Sequence, residues 1–231
     1  MMILTPAGER YRCDYGWLQS YHLFSFGDYF DPKNLHWGQL RVYNDDLIAP
    51  HTGFDTHFHK EMEIVTIVLQ GAVTHEDSTG NKKRITAKMV QRMSAGTGVQ
   101  HSEYNHEDNP LHLHQIWILP NEAGLAPEYE EASFENAIQE NGLTHLVGKG
   151  GPLSIHADAH IYYGHFEKGK TFRYEFSEDR AVFLYLRLGG LRLGEILVRQ
   201  KDQIRVLEES FLEGEVLEES EFVLIDTPLH S

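Results

Sequence analysis

The chain has 231 residues, of which 41% are hydrophobic and 24% are charged, a composition that is typical of folded proteins and excludes wholesale disorder. Its 35 acidic and 20 basic residues give a formal net charge of −15 at pH 7, which argues against general affinity for nucleic acids or anionic membranes, since both bind basic surfaces. The single cysteine, Cys13, excludes an internal disulfide and fits a reducing compartment. Because we find neither an apolar signal segment at the N-terminus nor a stretch that is long enough to span a membrane, we expect a cytoplasmic protein.

Short strands separated by turns dominate the first half of the chain. The β-branched run at residues 64–69 ends at Gly71, and the extended segments 73–75 and 84–86 flank the turn-forming residues 77–81. A further strand is predicted at residues 111–119 and ends at Pro120. Short strands at regular spacing, with turn residues between them, predict an antiparallel barrel or sandwich.

Residues 121–143 differ from the strands on either side, and we interpret them as a linker between two halves. Pro120 and Pro127 interrupt the pattern, and residues 133–140 predict a short acidic helix that Ser133 caps with its hydroxyl group. Gly189 and Gly190 predict a hairpin turn in the second half. Strands are predicted there at residues 160–163, 171–176, 181–188, 191–198, 204–206 and 221–226. The similar strand content of the two halves suggests a duplicated barrel.

Histidine is the unusual component of this sequence. There are 15 histidines, and eight of them lie between His51 and His114. Histidine is the commonest metal ligand, but many surface histidines bind nothing, so their spacing has to decide. His57 and His59 are two residues apart, and side chains at that spacing on a strand point to the same face. We therefore expect these two imidazoles to project together, at a separation that suits one metal ion.

A second pair, His101 and Glu103, follows two glycines that permit a tight turn. If the two strands face each other in one barrel, three imidazoles and one carboxylate converge. That donor set suits iron, manganese, nickel, copper or zinc, and it is too rich in nitrogen for calcium or magnesium. The alternative is a cluster of hydrogen-bonded core histidines, which would have to bury two independent same-face pairs at a cost in free energy.

Other residues have two interpretations each. His112 and His114 form another His-x-His, in which we expect one buried and one solvated residue rather than two ligands. Asp45 and Asp46 either orient ligand histidines or form a turn. Cys13 has no activating neighbour apart from Arg12, so we interpret it as an inert thiol. Four aromatic residues either line a pocket or pack the barrel, with packing preferred: Phe24, Phe26, Tyr29 and Phe30.

The remaining histidines give weaker signals. His75 and His114 are minor candidates for the mouth of a pocket. The histidines of the second half, His156, His160 and His165, are too irregularly spaced to predict a site.

The two histidine motifs, HFHKEMEIVTIVLQG and MSAGTGVQHSEYN, resemble those of the cupin superfamily, and the chain resembles the pirin family more closely. The similarity begins at residues 16–18 (GWL), continues through 22–32 (HLFSFGDYFDP) and 40–46 (LRVYNDD), and reaches 115–118 (QIWI). It covers nearly all of residues 10–120, whereas residues 145–231 match only in general character. The resemblance implies an all-β bicupin, with an N-terminal metal-binding cupin domain in residues 1–130 and a degenerate C-terminal cupin domain without metal in residues 131–231.

The resemblance also implies the ligands. By position they are His57, His59, His101 and Glu103, holding one divalent transition metal. Iron(II) is the ion we expect, with zinc, manganese, nickel, copper and cobalt as alternatives. Many other cupins take the carboxylate ligand from a position after the His-x-His, which here would be Glu63. Two departures from the family pattern, Phe58 in place of a proline and Asp55 in place of a glycine, would alter the pocket without removing a ligand.

For function, the resemblance implies an oxidoreductase of the quercetin 2,3-dioxygenase type, which opens a flavonol-type ring with O2. Glu103 would then also serve as the catalytic base. A second hypothesis is a pirin that binds a transcription factor or an enzyme and uses its metal as a structural or redox-sensing element. A third is a metal cupin of other chemistry, such as an isomerase. We expect a monomer that contacts no nucleic acid or membrane directly, while the identity of the natural substrate stays open.

Overall fold

The computed structural model describes residues 1–229, and strands form most of it. Two short 3-10 helices span Ala7–Glu9 and Glu135–Ala137. The described part of the chain contains no helix of the length and apolar character needed to cross a membrane. The strands, in chain order, are β1 (Met2–Thr5), β2 (Tyr11–Asp14), β3 (Leu18–His22), β4 (Leu40–Ile48), β5 (Thr52–His59), β6 (Glu63–Gln70), β7 (Ala72–Asp77), β8 (Lys82–Thr86), β9 (Met89–Ser94), β10 (Val99–Asn105), β11 (Leu111–Ile118), β12 (Glu128–Ser133), β13 (Gly142–Val147), β14 (His160–Phe166), β15 (Thr171–Glu175), β16 (Arg180–Leu193), β17 (Ile196–Arg199), β18 (Gln203–Val206) and β19 (Phe211–Pro228).

The N-terminal barrel consists of two sheets that pack face to face. One has seven strands in the order β12-β9-β6-β11-β4-β3-β2, and the other has four in the order β5-β10-β7-β8. Buried residues of both sheets form a common core, which includes Val68 and Leu113 of the larger sheet and Val73 and Ile85 of the smaller one. These apolar side chains fill the part of the barrel interior that lies between them.

The outer face of the seven-stranded sheet is also buried, because the C-terminal barrel packs against it. Tyr43, Ile67 and Ile116 on that face share a core with Phe183 and Val223 of the C-terminal sheet. Strand β6 is therefore covered on both sides, which explains why residues 64–69 are apolar except for Thr66. This run confirms the strand that the sequence predicted at residues 64–69.

The C-terminal barrel is formed by one curled sheet in the order β1-β18-β16-β19-β14-β13, with β15 added to β19 and β17 added to β16. A second apolar core fills it and contains Phe172, Leu184, Leu212 and Phe222. All pairings between these named strands are antiparallel. The architecture confirms the predicted all-β protein with two antiparallel barrels.

The division into residues 1–130 and 131–231 stays a prediction, and two strands bear on it. Strand β12 contains the predicted boundary and pairs along its whole length with β9 of the N-terminal barrel. Strand β1 pairs with β18, so the first residues of the chain lie in the C-terminal sheet. The chain thus crosses between the barrels at both ends of the N-terminal one.

Two local predictions were wrong. The predicted hairpin turn at Gly189 and Gly190 is a bulged stretch inside β16, and the chain turns instead at Gly194, between β16 and β17. Gly189 has a φ of +89°, and a Cβ there would lie 2.3 Å from the Glu219 carbonyl oxygen, so this glycine permits close strand contact rather than a turn. The helix predicted at residues 133–140 is reduced to one 3-10 turn, because pairing with β9 extends the chain up to Ser133.

Candidate metal centre

A cavity of about 570 Å³ opens between the two sheets of the N-terminal barrel. Its wall includes His57 and His59 from β5 and Glu103 from β10. Aromatic side chains supply much of the remaining wall, namely Tyr15, Trp17, Phe26, Phe54 and Trp117. Its volume lies within the range of small-molecule sites, and an apolar lining with a few polar groups is typical of them.

Antiparallel pairing of β5 with β10 brings three imidazoles together. His101 lies opposite His57, and Val99 lies opposite His59. The ring centroids are 4.5 Å apart for His57 and His101, 4.7 Å for His57 and His59, and 4.9 Å for His59 and His101. One nitrogen of each ring lies within 4.8 Å of the others. This separation lets three nitrogens face one ion.

The hydrogen bonds of these rings leave nitrogens free to bind a metal. Nδ1 of His57 lies 2.7 Å from the carbonyl oxygen of Asp55 and donates to it, so its Nε2 is unprotonated in the neutral ring. Nε2 of His101 is buried and has no hydrogen-bond partner among the described residues. Burial and the neighbouring imidazoles lower the pKa of His59 to about 4 and that of His101 to about 3. Both rings are therefore neutral at pH 7, which is the form that binds metals.

Behind His101 lies a buried chain of hydrogen bonds. Nδ1 of His101 is 3.4 Å from Nδ1 of His75, and Nε2 of His75 is 3.1 Å from Oδ2 of Asp77. The carboxylate of Asp77 accepts the proton on Nε2 of His75. In a neutral His75 the other nitrogen, Nδ1, must then accept, so His101 must carry its proton on Nδ1 and donate it to His75. Burial opposes the charge of Asp77, but hydrogen bonds from Thr79, Asn81 and His75 hold its pKa below the usual range. The chain of contacts thus fixes the tautomer that presents Nε2 of His101 to a metal.

Glu103 borders the same cavity but is not one of the three donors that meet there. It groups instead with His75 and His101, each offering an atom within 4.8 Å of the others. Its side chain accepts hydrogen bonds from Gln91 and Thr66 at Oε1 and from Gln115 at Oε2. It is 1% exposed, so these donors hold its carboxylate in place beside the imidazoles.

Glu63, the alternative carboxylate, is directed elsewhere. Its Oε2 accepts a hydrogen bond from Ser94 at 2.7 Å, and burial raises its pKa. Among the described residues it belongs to none of the three groups of candidate ligands, all of which lie between residues 45 and 114. Glu103 therefore stays the better candidate.

The remaining group, Asp45 with His112 and His114, lies on the opposite face of the seven-stranded sheet. Oδ1 of Asp45 is 2.6 Å from Nε2 of His112, and its Oδ2 accepts from Tyr185 at 2.6 Å and from Arg10 at 3.3 Å. Burial opposes the charge of Asp45, but the hydrogen bonds from His112 and Tyr185 help to hold its pKa well below the usual range. The Arg10 guanidinium already supplies the positive charge that a metal would bring, so we interpret this group as a buried ion-pair network between the barrels.

Asp46 follows Asp45 but points into the cavity, since neighbours on a strand face opposite ways. Burial raises its pKa to about 7, and the charges of Asp45 and Glu103 act in the same direction.

The aromatic residues between positions 24 and 30 also lie in different environments. Phe24 is part of the core, Phe26 lines the cavity and Phe30 is 75% exposed.

The sequence did not reveal the residues that surround the ligands. No local pattern marks Gln91, Gln115 or Tyr129. The prediction that His75 and His114 line the mouth of a pocket is wrong, because both are fully buried, His75 beside His101 and His114 against Tyr43. Tyr129 stacks on His75 with ring centroids 4.5 Å apart and donates to Gln91, which holds Glu103. The one available signal was the spacing of His75 and Asp77, which share a face of β7 just as His57 and His59 share a face of β5.

The donor set of the cavity fits a divalent transition metal, because it combines neutral imidazoles, a buried unpartnered nitrogen and a nearby carboxylate. His57, His59, His101 and Glu103 are the residues that would hold it, and their roles as ligands stay a proposal.

Comparisons with known proteins agree with this architecture. The Pirin family model matches residues 6–118, and the model of the quercetinase C-terminal cupin domain matches residues 147–227. Quercetin 2,3-dioxygenase from Escherichia coli K12 is 38% identical over 229 residues, covering 99% of each chain. A pirin-like protein from Caulobacter vibrioides is 39% identical over 92% of this chain and 94% of its own. The crystal structure of the bacterial pirin YhhW from Escherichia coli in complex with nickel(II) matches with a TM-score of 0.93 and 37% identity, over 99% of each chain. The chain therefore belongs to the pirin family.

Proposed function

We propose that this protein is a metal-dependent dioxygenase of the quercetin 2,3-dioxygenase type, which opens the ring of a flavonol-like substrate with O2. The observation that carries the proposal is the meeting of three imidazole nitrogens within 4.8 Å, at an aromatic-lined cavity whose wall includes two of the three rings, His57 and His59. A relative at 38% identity is named quercetin 2,3-dioxygenase. A related pirin binds nickel(II), and iron(II) is the ion proposed here.

When bound by His57, His59, His101 and Glu103, the metal would supply Lewis acidity towards the enol oxygen of the substrate and electron transfer with O2. The chain's own residues do the rest. Trp17, Phe54 and Trp117 supply apolar walls against which a flat aromatic ring packs, and orientation of the substrate accounts for much of the rate of many enzymes. Oε2 of Glu103 accepts the hydroxyl proton of the substrate, and the hydrogen bond from Gln115 keeps that oxygen in position.

Oxygen uptake with quercetin tests the proposal. The iron(II)-loaded wild type is compared with His57→Ala and Glu103→Ala, and with His106→Ala as a control at an exposed histidine outside the candidate groups. We expect rapid uptake in the wild type and the control, loss in the other two variants, and both atoms of ¹⁸O2 in the product. Uptake no greater than that of free iron(II), in protein that retains its metal, would overturn the dioxygenase and favour the partner-binding or redox-sensing role.

A further inference from the structure

The wall that faces the metal ligands carries a row of polar side chains on adjacent strands. Gln91 on β9, Thr66 on β6 and Gln115 on β11 lie opposite one another, and all three donate to Glu103. Asn44 on β4 is the next member of the row, directly opposite Gln115. The row therefore continues past Glu103 along the wall of the cavity.

Beyond Gln115 the polar side chains carry buried atoms without a well-formed hydrogen bond. Asn44 and Asp46 on β4 and Ser20 on β3 all line the cavity, and each is at most 2% exposed. Among the described residues, Asn44 Oδ1, Asp46 Oδ1, Ser20 Oγ and Nε1 of Trp117 make no hydrogen bond of normal geometry. Ser20 lies opposite Asp46 and is near enough to its carboxyl group to lower the pKa, so these two side chains are neighbours in the row. Buried polar groups in proteins are nearly always paired, so four unpaired ones around a single cavity indicate that a ligand or ordered water pairs them.

We propose that Ser20, Asn44 and Asp46, with Nε1 of Trp117, form a hydrogen-bonding subsite for the phenolic hydroxyl and carbonyl groups of an aromatic substrate. The side-chain amide oxygen of Asn44 and the carboxylate oxygens of Asp46 accept hydrogen bonds, so they select hydroxyl donors, whereas the hydroxyl group of Ser20 can both donate and accept. Trp117 only donates, so it requires an acceptor such as a ring carbonyl. The inference rests on the proposed function, which it narrows from flat aromatic compounds in general to polyhydroxylated ones.

The subsite predicts selectivity between two flavonols that share the metal-binding end. Quercetin carries further hydroxyl groups, whereas 3-hydroxyflavone has only the 3-hydroxyl and the ring carbonyl. A site that is built to bond a hydroxyl discriminates strongly against the analogue that lacks it, because its own buried groups then stay unpaired. We expect the zinc(II)-loaded wild type to bind quercetin at least roughly tenfold more tightly than 3-hydroxyflavone.

The test measures the two dissociation constants by tryptophan fluorescence with zinc(II), which is redox-inert, so that no turnover is needed. Asn44→Leu and Asp46→Leu should weaken quercetin binding about tenfold and leave 3-hydroxyflavone unchanged, bringing the ratio close to one. Ser20→Ala removes one hydroxyl with little change of shape and should shift the ratio in the same direction. Gln39→Met is the control, since Gln39 is equally buried, also has an unpaired oxygen and lies outside the cavity.

Equal binding of the two flavonols by the wild type would overturn the subsite, as would a ratio that the three variants leave unchanged. Retained 3-hydroxyflavone binding shows that a variant is folded, and Ser20→Ala decides the matter if the larger substitutions abolish it. Failure of the dioxygenase proposal gives a different result. The protein would then still bind quercetin more tightly than 3-hydroxyflavone but would consume no oxygen with either.

Discussion

The hydrogen-bonded chain Asp77–His75–His101 leads to a prediction about metal affinity that does not depend on the substrate. In the His75→Phe variant, a phenyl ring keeps the stacking on Tyr129 that places the imidazole 4.5 Å from the tyrosine ring. The variant loses the acceptor for Nδ1 of His101 and one of the donors to Asp77. Asp77 retains hydrogen bonds from Thr79 and Asn81, so the main change falls on His101.

The size of the effect follows from the burial of His101, which is 2% exposed. When Nε2 binds a metal, the proton must stay on Nδ1, where the variant offers it no acceptor. An unpaired buried donor costs about 1–3 kcal/mol. In the metal-free variant the proton can move to Nε2, but that nitrogen has no partner among the described residues either, so part of the cost falls on the free state. The penalty on binding is therefore at most about 1–3 kcal/mol, and the dissociation constant of the metal should rise by no more than about 5- to 150-fold, in line with the usual effect of removing such a contact.

Calorimetric titration with zinc(II) and nickel(II) measures this change. His145→Phe is a matched control, because His145 also stacks on a tyrosine, with ring centroids 4.6 Å apart, and lies 3.2 Å from another histidine nitrogen, but in the C-terminal barrel. The control should bind metal like the wild type. If His75→Phe also bound within twofold of the wild type while His101→Ala lost the metal, the chain of hydrogen bonds would have no part in positioning the ligand.

Three further substitutions test the rest of the structure. Asp45→Asn should lower the free energy of unfolding by about 3–5 kcal/mol, measured by urea denaturation, because it leaves the buried charge of Arg10 unmatched; a loss below 1 kcal/mol would contradict the ion-pair network. The pKa of Asp46 rises from 3.8 to about 7 in the folded protein, so between about pH 4 and pH 7 the metal-free folded state binds a proton that the unfolded chain has released, and stability falls as the pH rises. The melting temperature of Asp46→Asn minus that of the wild type should therefore be larger at pH 8 than at pH 5. An equal difference at both pH values would refute the assignment. Gly38→Ala should destabilise the fold by about 1–3 kcal/mol, since a Cβ there would lie 2.3 Å from Thr227 Oγ1 and 2.5 Å from the Pro228 carbonyl oxygen; an unchanged melting temperature would show that this contact between the barrels is loose.

The candidate ligands could be proposed from the sequence because each pair obeys a local rule. His57 and His59 share a face of β5, and His101 and Glu103 share a face of β10, through the period of two that every strand has. The partners of these ligands obey no such rule. Thr66, Gln91 and Gln115 come from three different strands, and only the pairing register places them side by side.

The incorrect predictions have the same physical origin. Gly189 and Gly190 have the composition of a hairpin turn, but they lie inside β16. Glu219 and Ser220 on β19 approach Gly189 closely, and the pairing is bulged there. Residues 128–133 lack a strong strand pattern, yet they form strand β12 because they pair with the otherwise free edge of β9. Contacts between residues far apart in the chain decided these cases, and a local reading of the sequence contains no information about them.

The alternation of side chains along β4 and β11 links the two barrels to the candidate site. On β4, Asn44 and Asp46 face the cavity, whereas Tyr43 and Asp45 face the C-terminal barrel and contact Tyr185. On β11, Gln115 and Trp117 face the cavity, whereas His114 and Ile116 face the C-terminal barrel. The C-terminal barrel therefore forms the back of the wall that carries the polar row. Its contribution to the site is to cover the outer face of the seven-stranded sheet and, through the hydrogen bond from Tyr185 to Asp45, to fix the strand that presents Asn44 and Asp46.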